Sequence, residues 1–159
     1  MNYWLIKSEG SCYSIDDLKK DGTTAWTGIR NFQARNHMRD GMKVGDLALF
    51  YHSSGTDKEP SGVYGVAKIV GAAKIDKTAL DPKDEHYDAK AAEYEREGKD
   101  PMWVCVDVGF VKKLSRPVTL SAMKRESALK SMLVLQRGQR LSVMPVSEGH
   151  FKKVLEMGK

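Results

Sequence analysis

Five short runs of apolar or alternating residues recur along the chain, and none is separated from the next by a helix-length amphipathic stretch. They are "YWLIK" (3–7), "GDLALFYHS" (45–53), "GVYGVAKIVG" (62–71), "MWVCVDVGFVKKL" (102–114) and "RLSVMPV" (140–146). Parallel strands joined in sequence need crossovers of a dozen or more residues, usually helical. Without them an alternating doubly wound sheet is excluded. The spacing predicts an α+β domain: a small, partly open β-barrel of five to six strands with short peripheral helices. Leu47, Leu49 and Tyr51 are expected on one face of the second run, and Val104, Val106, Val108 and Phe110 on one face of the fourth. The polar loop 53–62 between two strand patterns reads as a hairpin, and Gly65 inside the next strand marks a bulge or tight bend.

The helices are short. Ser14 reads as an N-cap with Asp17 at the capping-box position, Tyr13 stapling onto Leu18, and Gly22 as the stop. A second short helix is expected over 30–39, a charged helix or ordered loop over 89–100, one or two helices after Pro117, and a closing helix over 147–158 that buries Phe151, Val154 and Leu155. With 159 residues, the chain is expected to be one domain, 1–159. It is 41% hydrophobic and 30% charged, as an ordinary globular protein is. No apolar run approaches the roughly 20 residues of a membrane span. The first residues read as a strand and not as a leader, so a cytoplasmic monomer with no membrane partner is expected. Cys12 and Cys105 have no metal-binding spacing, so no metal site is expected and free thiols are favoured over one disulfide.

Several chemistries lack their motifs. No glycine pattern cradles phosphates, so no nucleotide cofactor is expected. No nucleophile elbow is present, and Ser53 and Ser54 follow His52 on a strand whose adjacent residues face opposite ways. The acidic "DPKDEHYD" (81–88) reads as a solvated loop. The net charge of +5 permits contact with phosphates without establishing it.

What remains is a polar and aromatic constellation: "KSEG" at 7–10, "AWTGIRNFQARN" at 25–36, "YHSS" at 51–54 and "RLSVMP" at 140–145. Each sets small hydrogen-bonding side chains beside an aromatic ring or an arginine. That mixture suits a planar polar ring: a stacking face, edge donors and acceptors, and a cation for phosphate. Core burial of Trp26 and a solvated helix face for Arg30, Arg35 and Arg39 are the plainer readings of the same residues.

These motifs, in this order across essentially the whole chain, resemble those of EVE-domain proteins, in the thymocyte nuclear protein-like group of the PUA-like superfamily, related to YTH domains. The resemblance implies a small β-barrel with peripheral helices. It implies a non-catalytic module that reads a modified base, methylated cytosine being the usual candidate, flipped out of DNA or RNA into an aromatic and polar pocket. Carried over residue by residue, it puts Ser8, Glu9, Trp26, Thr27, Asn31, Tyr51, His52, Ser53 and Ser142 at the base and Lys7, Arg30, Arg35, Arg39 and Arg140 on phosphates. Glu9 would accept from an exocyclic amino group. Thr27 stands where the family pattern usually has Asp. Tyr51 and Phe32 are the candidates for a second aromatic wall. Two other classes stay open: an enzyme using His52 or His37 with Glu9, and an interaction module whose pocket takes a small ligand.

Overall fold

The computed structural model describes all residues, 1–159. The chain runs β1 (Tyr3–Glu9), α1 (Ile15–Asp21), β2 (Thr23–Ala25), α2 (Phe32–Asn36), a π-type turn (His37–Gly41), β3 (Leu47–Ser53), β4 (Gly62–Ile69) and β5 (Lys74–Ile75). It continues through a 3-10 turn (Lys77–Leu80), α3 (Ala89–Arg96), β6 (Val104–Cys105), β7 (Asp107–Thr119), α4 (Leu120–Arg125), two further 3-10 turns, β8 (Val143–Val146) and α5 (Glu148–Met157). Six strands form one mixed sheet in the order β2-β7-β4-β3-β1-β8. It curls into a half-barrel, as a PUA-like α+β fold does. Only β1 and β3 run parallel. Strands β5 and β6 form a separate two-stranded ribbon.

Local chemistry sets the element ends. Ser14 Oγ accepts from the Asp17 N–H (3.1 Å) while the Asp17 carboxylate accepts from the Ser14 N–H (2.9 Å), a complete capping box. Gly22 closes α1 with φ +79°. The β3–β4 hairpin forms, and the register slips between Phe50 and Tyr51 and between Val63 and Gly65. Gly65 is needed there because a Cβ would sit 2.5 Å from Ile15 Cγ1 and 2.6 Å from the Lys112 carbonyl. The bulge lets α1 lie down on the sheet.

Strand β3 is buried throughout Ala48 to His52, because it lies inside the sheet and is covered on both sides. One expectation is corrected. The 102–114 run is not one strand. Its first part pairs with β5, and β7 begins at Asp107. The chain changes sheet at Val106, whose carbonyl accepts the Trp26 N–H at 2.8 Å. The short helices expected after Pro117 form, α4 from Leu120 and a 3-10 turn over Ser127–Leu129; β7 continues through Thr119, and Thr119 Oγ1 caps α4.

Candidate functional site

A cavity of about 380 Å³ opens where the end of β1, strand β2 and the segment before β8 converge. Lys7 and Ser8 come from β1, Tyr13 from the turn before α1, Thr24 and Ala25 from β2, Trp26 to Ile29 from the following loop, and Ser142 from the approach to β8. That volume lies at the small end of the range for organic-ligand sites. Trp26 and Tyr13 meet edge to face, with ring centroids 6.3 Å apart at 78°. Behind them Phe50 buttresses Trp26 at 5.4 Å and 81°. Trp26 is only 7% exposed, so both readings of this residue hold: it belongs to the core and its remaining surface walls the cavity.

The polar groups are arranged asymmetrically. Ser8 Oγ donates its single proton to the Tyr13 carbonyl at 2.7 Å, so it offers the cavity lone pairs only. Lys7 is the one charged side chain lining the cavity. Burial lowers its ammonium pKa from the usual lysine value, and its Nζ lies 5.7 Å from the Tyr51 ring. The Tyr13 phenol is pushed up to about 12 by burial and by its bond to Asp21 (2.8 Å), so it stays a donor at neutral pH.

The loop that carries Trp26 is fastened by a buried ionic hub. Asp76 has no exposed surface. Its Oδ2 accepts from the Gly28 N–H (2.9 Å) and Arg30 Nη1 (2.9 Å), and its Oδ1 from the Thr78 N–H (3.0 Å) and Oγ1 (2.6 Å). Burial alone would raise its pKa, but these donors hold the carboxyl below the usual range. Arg30 spends every N–H it has: on Asp76, the Ile29 carbonyl, Thr78 and, twice, the His86 carbonyl. Gly28 adopts φ +84°, and a Cβ there would lie 2.9 Å from His86 Nε2. Asp76 and Thr78 thus clamp the loop, and 81–88, an exposed loop as expected, adds only the His86 carbonyl and ring to the clamp.

Of the residues expected at a base, Ser8, Trp26, Thr27 and Ser142 line this cavity. The others stand elsewhere. Glu9 is exposed and accepts a weak bond from Cys12 Sγ (3.6 Å). Asn31 caps α2 through the Ala34 N–H (3.0 Å). Tyr51 is buried beneath Lys7, and Ser53 lies at the end of β3. His52 faces a different cavity, of about 390 Å³, with Glu59, Tyr64 and Lys113. There its Nε2 accepts the Ile15 N–H at 3.1 Å and its ring stacks on Tyr64 at 4.0 Å. Neither His52 nor His37, whose ring sits against Trp4 at 5.6 Å, shares a cavity with Glu9. Phe32 does not wall the cavity; Tyr13 is its second aromatic.

Among the cations, Lys7 is inside and Arg140 is exposed two residues from Ser142. Arg30 has no donor left for a phosphate. Arg39 is paired with Asp40 (2.8 Å). Arg35 binds the Met102 carbonyl (3.0 Å) and Asn36. No group of three or more His, Cys, Asp or Glu is placed to hold a metal. No helix is long and apolar enough to cross a membrane. Cys12 and Cys105 are free thiols, one exposed and one buried.

Sequence reasoning missed Tyr13 as a wall and Asp76 as the hub. Tyr13 follows the KSEG segment closely, but its contact with Trp26 depends on how the chain folds back. Asp76 carried a local signal, the Asp-x-Thr spacing of an Asx turn.

The EVE domain family model matches residues 2–157. Thymocyte nuclear protein 1 of Gallus gallus is 40% identical over 98% of this chain and 68% of its own length. A crystal structure of a Pseudomonas syringae protein superimposes with a TM-score of 0.89 at 41% identity, covering 99% of each chain. The human THYN1 protein, in a crystal structure of its complex with 5-methylcytosine-containing DNA, superimposes with a TM-score of 0.87 at 36% identity, covering 100% of this chain and 98% of that one. The chain belongs to the EVE domain family.

Proposed function

We propose that this protein is a non-catalytic reader of methylated cytosine in DNA and that the Trp26–Tyr13 cavity takes the base after it leaves the stack. The observation that carries the reading is the cavity itself: two aromatic walls, a single cation and hydroxyl groups, in a volume suited to one nucleobase. The likeness to a human protein in complex with 5-methylcytosine-containing DNA supports the choice of ligand.

Each lining group has work to do against a cytosine edge. Trp26 and Tyr13 offer apolar surface to the ring and its methyl group. Ser8 Oγ, with lone pairs only, accepts from the exocyclic amine; Glu9, outside the cavity, does not. The Lys7 ammonium donates to the ring carbonyl oxygen, an acceptor that offsets its burial. Thr27 and Ser142 adapt as donor or acceptor. Arg140, beside Ser142, meets the adjoining phosphate. Extrusion costs a few kcal/mol, least from single-stranded DNA.

The test is fluorescence anisotropy with single- and double-stranded DNA and RNA carrying one central cytosine, methylated or not, at two salt concentrations. Burying the methyl is worth about 0.8 kcal/mol, roughly a fourfold preference. Lys7→Met is expected to weaken binding to methylated and unmethylated DNA alike. Equal affinity of the wild type for both cytosines refutes the reading, and tighter binding to methylated RNA transfers it to the other polymer.

A further inference from the structure

Phe32 opens α2 with 54% of its surface exposed, more than any other aromatic side chain of the chain. It is nonetheless held rigidly. Its ring lies against Trp103, with centroids 4.7 Å apart and planes within 22°. Trp103 is itself buried and pinned by its indole N–H on Asp88 Oδ2 at 2.8 Å. The Arg35 guanidinium lies over the Phe32 ring, 4.8 Å from its centroid, and is moored to the Met102 carbonyl. Three of its five N–H groups are used, leaving two without a protein partner. A backed, half-exposed ring with a guanidinium over it is the composition of a base-stacking platform, since both the ring and the guanidinium plane can stack on a base.

Its position ties it to the cavity. Ile29 lines the cavity, and Phe32 follows three residues later, so their Cα atoms are no more than about 11 Å apart. A stacked strand advances about 3.4 Å per nucleotide, so that bound is about three steps, and a base one to three positions from the one in the cavity reaches Phe32. The loop between is fixed at both ends, by Asp76 on Gly28 and by the Asn31 cap on α2.

We infer that the Phe32–Trp103 pair is a second, sequence-tolerant platform for a nucleobase flanking the one in the cavity, with Arg35 on the phosphate between them. This rests on the base-binding reading above. It gives the domain affinity for a strand in addition to the methylated base, and it lets Phe32 occupy the face of a neighbour that extrusion leaves bare.

The experiment compares wild type, Phe32→Ala and Phe32→Trp on three probes. They are 5-methyl-2′-deoxycytidine alone, an oligonucleotide with one 5-methylcytosine, and the same oligonucleotide with abasic residues at the three positions on either side of it. Phe32→Ala is expected to weaken the intact oligonucleotide on the order of tenfold. It should leave nucleoside affinity unchanged and have no effect once the flanking bases are removed; Phe32→Trp should restore binding. An equal loss on the nucleoside, a loss that persists with abasic flanks, or no loss at all overturns the inference. So does a variant that binds DNA like wild type while losing self-association in sedimentation, since the ring would then cover a second copy. A wild type that ignores the nucleoside while still showing the Phe32-dependent, flank-dependent oligonucleotide effect would refute the cavity reading and leave the platform standing.

Discussion

Replacing Asp76 by Asn is the sharpest perturbation of the loop that carries Trp26. The change keeps volume and shape but turns one acceptor oxygen into an NH₂ donor. Both oxygens of Asp76 receive two donors. If the NH₂ takes the Oδ2 side, the Gly28 N–H and the Arg30 guanidinium are stranded; on the Oδ1 side the Thr78 N–H is stranded while its hydroxyl turns to accept, and Arg30 loses its counter-charge either way. An unmet buried donor costs about 1–3 kcal/mol, and breaking one side of a buried ion pair about 3–5 kcal/mol. The expected loss is about 3 kcal/mol, taken low because Arg30 keeps 22% side-chain exposure. For a domain of this size that lowers Tm by roughly 6–12 °C. Urea and thermal unfolding followed by circular dichroism measure it. A variant within 1 kcal/mol of wild type refutes the hub.

Three further outcomes follow from the geometry. Gly28→Ala should lose about 1–2 kcal/mol from its positive φ alone and weaken methylated-DNA binding as the loop shifts from His86; unchanged affinity would show that the loop does not position the cavity. Glu9→Gln should leave the preference for methylated cytosine within twofold, measured by anisotropy, because Glu9 lies outside the cavity. Burial lowers the His52 pKa, and its Nε2 accepts from the Ile15 N–H. The unfolded chain thus binds the proton more readily, and stability from this group is fully present above about pH 6.5 and lost as pH falls through the folded pKa. Urea midpoints across pH 8 to 5 should fall in wild type and flatten in His52→Gln.

The barrel was legible because short strand patterns without intervening helices leave few other architectures. The capping box, the hairpin and the Gly65 bulge carry local signals, and all three formed. The single strand over 102–114 failed because alternation reports burial, and Met102 to Val106 are buried on both sides of a change of sheet. At the cavity, Trp26, Thr27, Ser8 and Ser142 were placed by motif. Tyr13 needed the fold, since only the return of α1 over the sheet brings its ring to Trp26. Arg30 misled for a plain reason: an arginine composed to meet a phosphate is equally composed to meet a buried carboxylate, and its partner lies forty-six residues away.

The most direct measurement uses an oligonucleotide whose single 5-methylcytosine carries a ¹³C-labelled methyl group. Isotope-filtered NOE spectra of the complex report which rings lie against that methyl. The expected contacts are to Trp26 and Tyr13, with the Lys7 side chain nearby and Phe32 silent. Methyl contacts to Phe32 and Trp103, to the His52 cavity, or to no aromatic ring in a saturated complex would contradict the assignment of the cavity as the base-reading site.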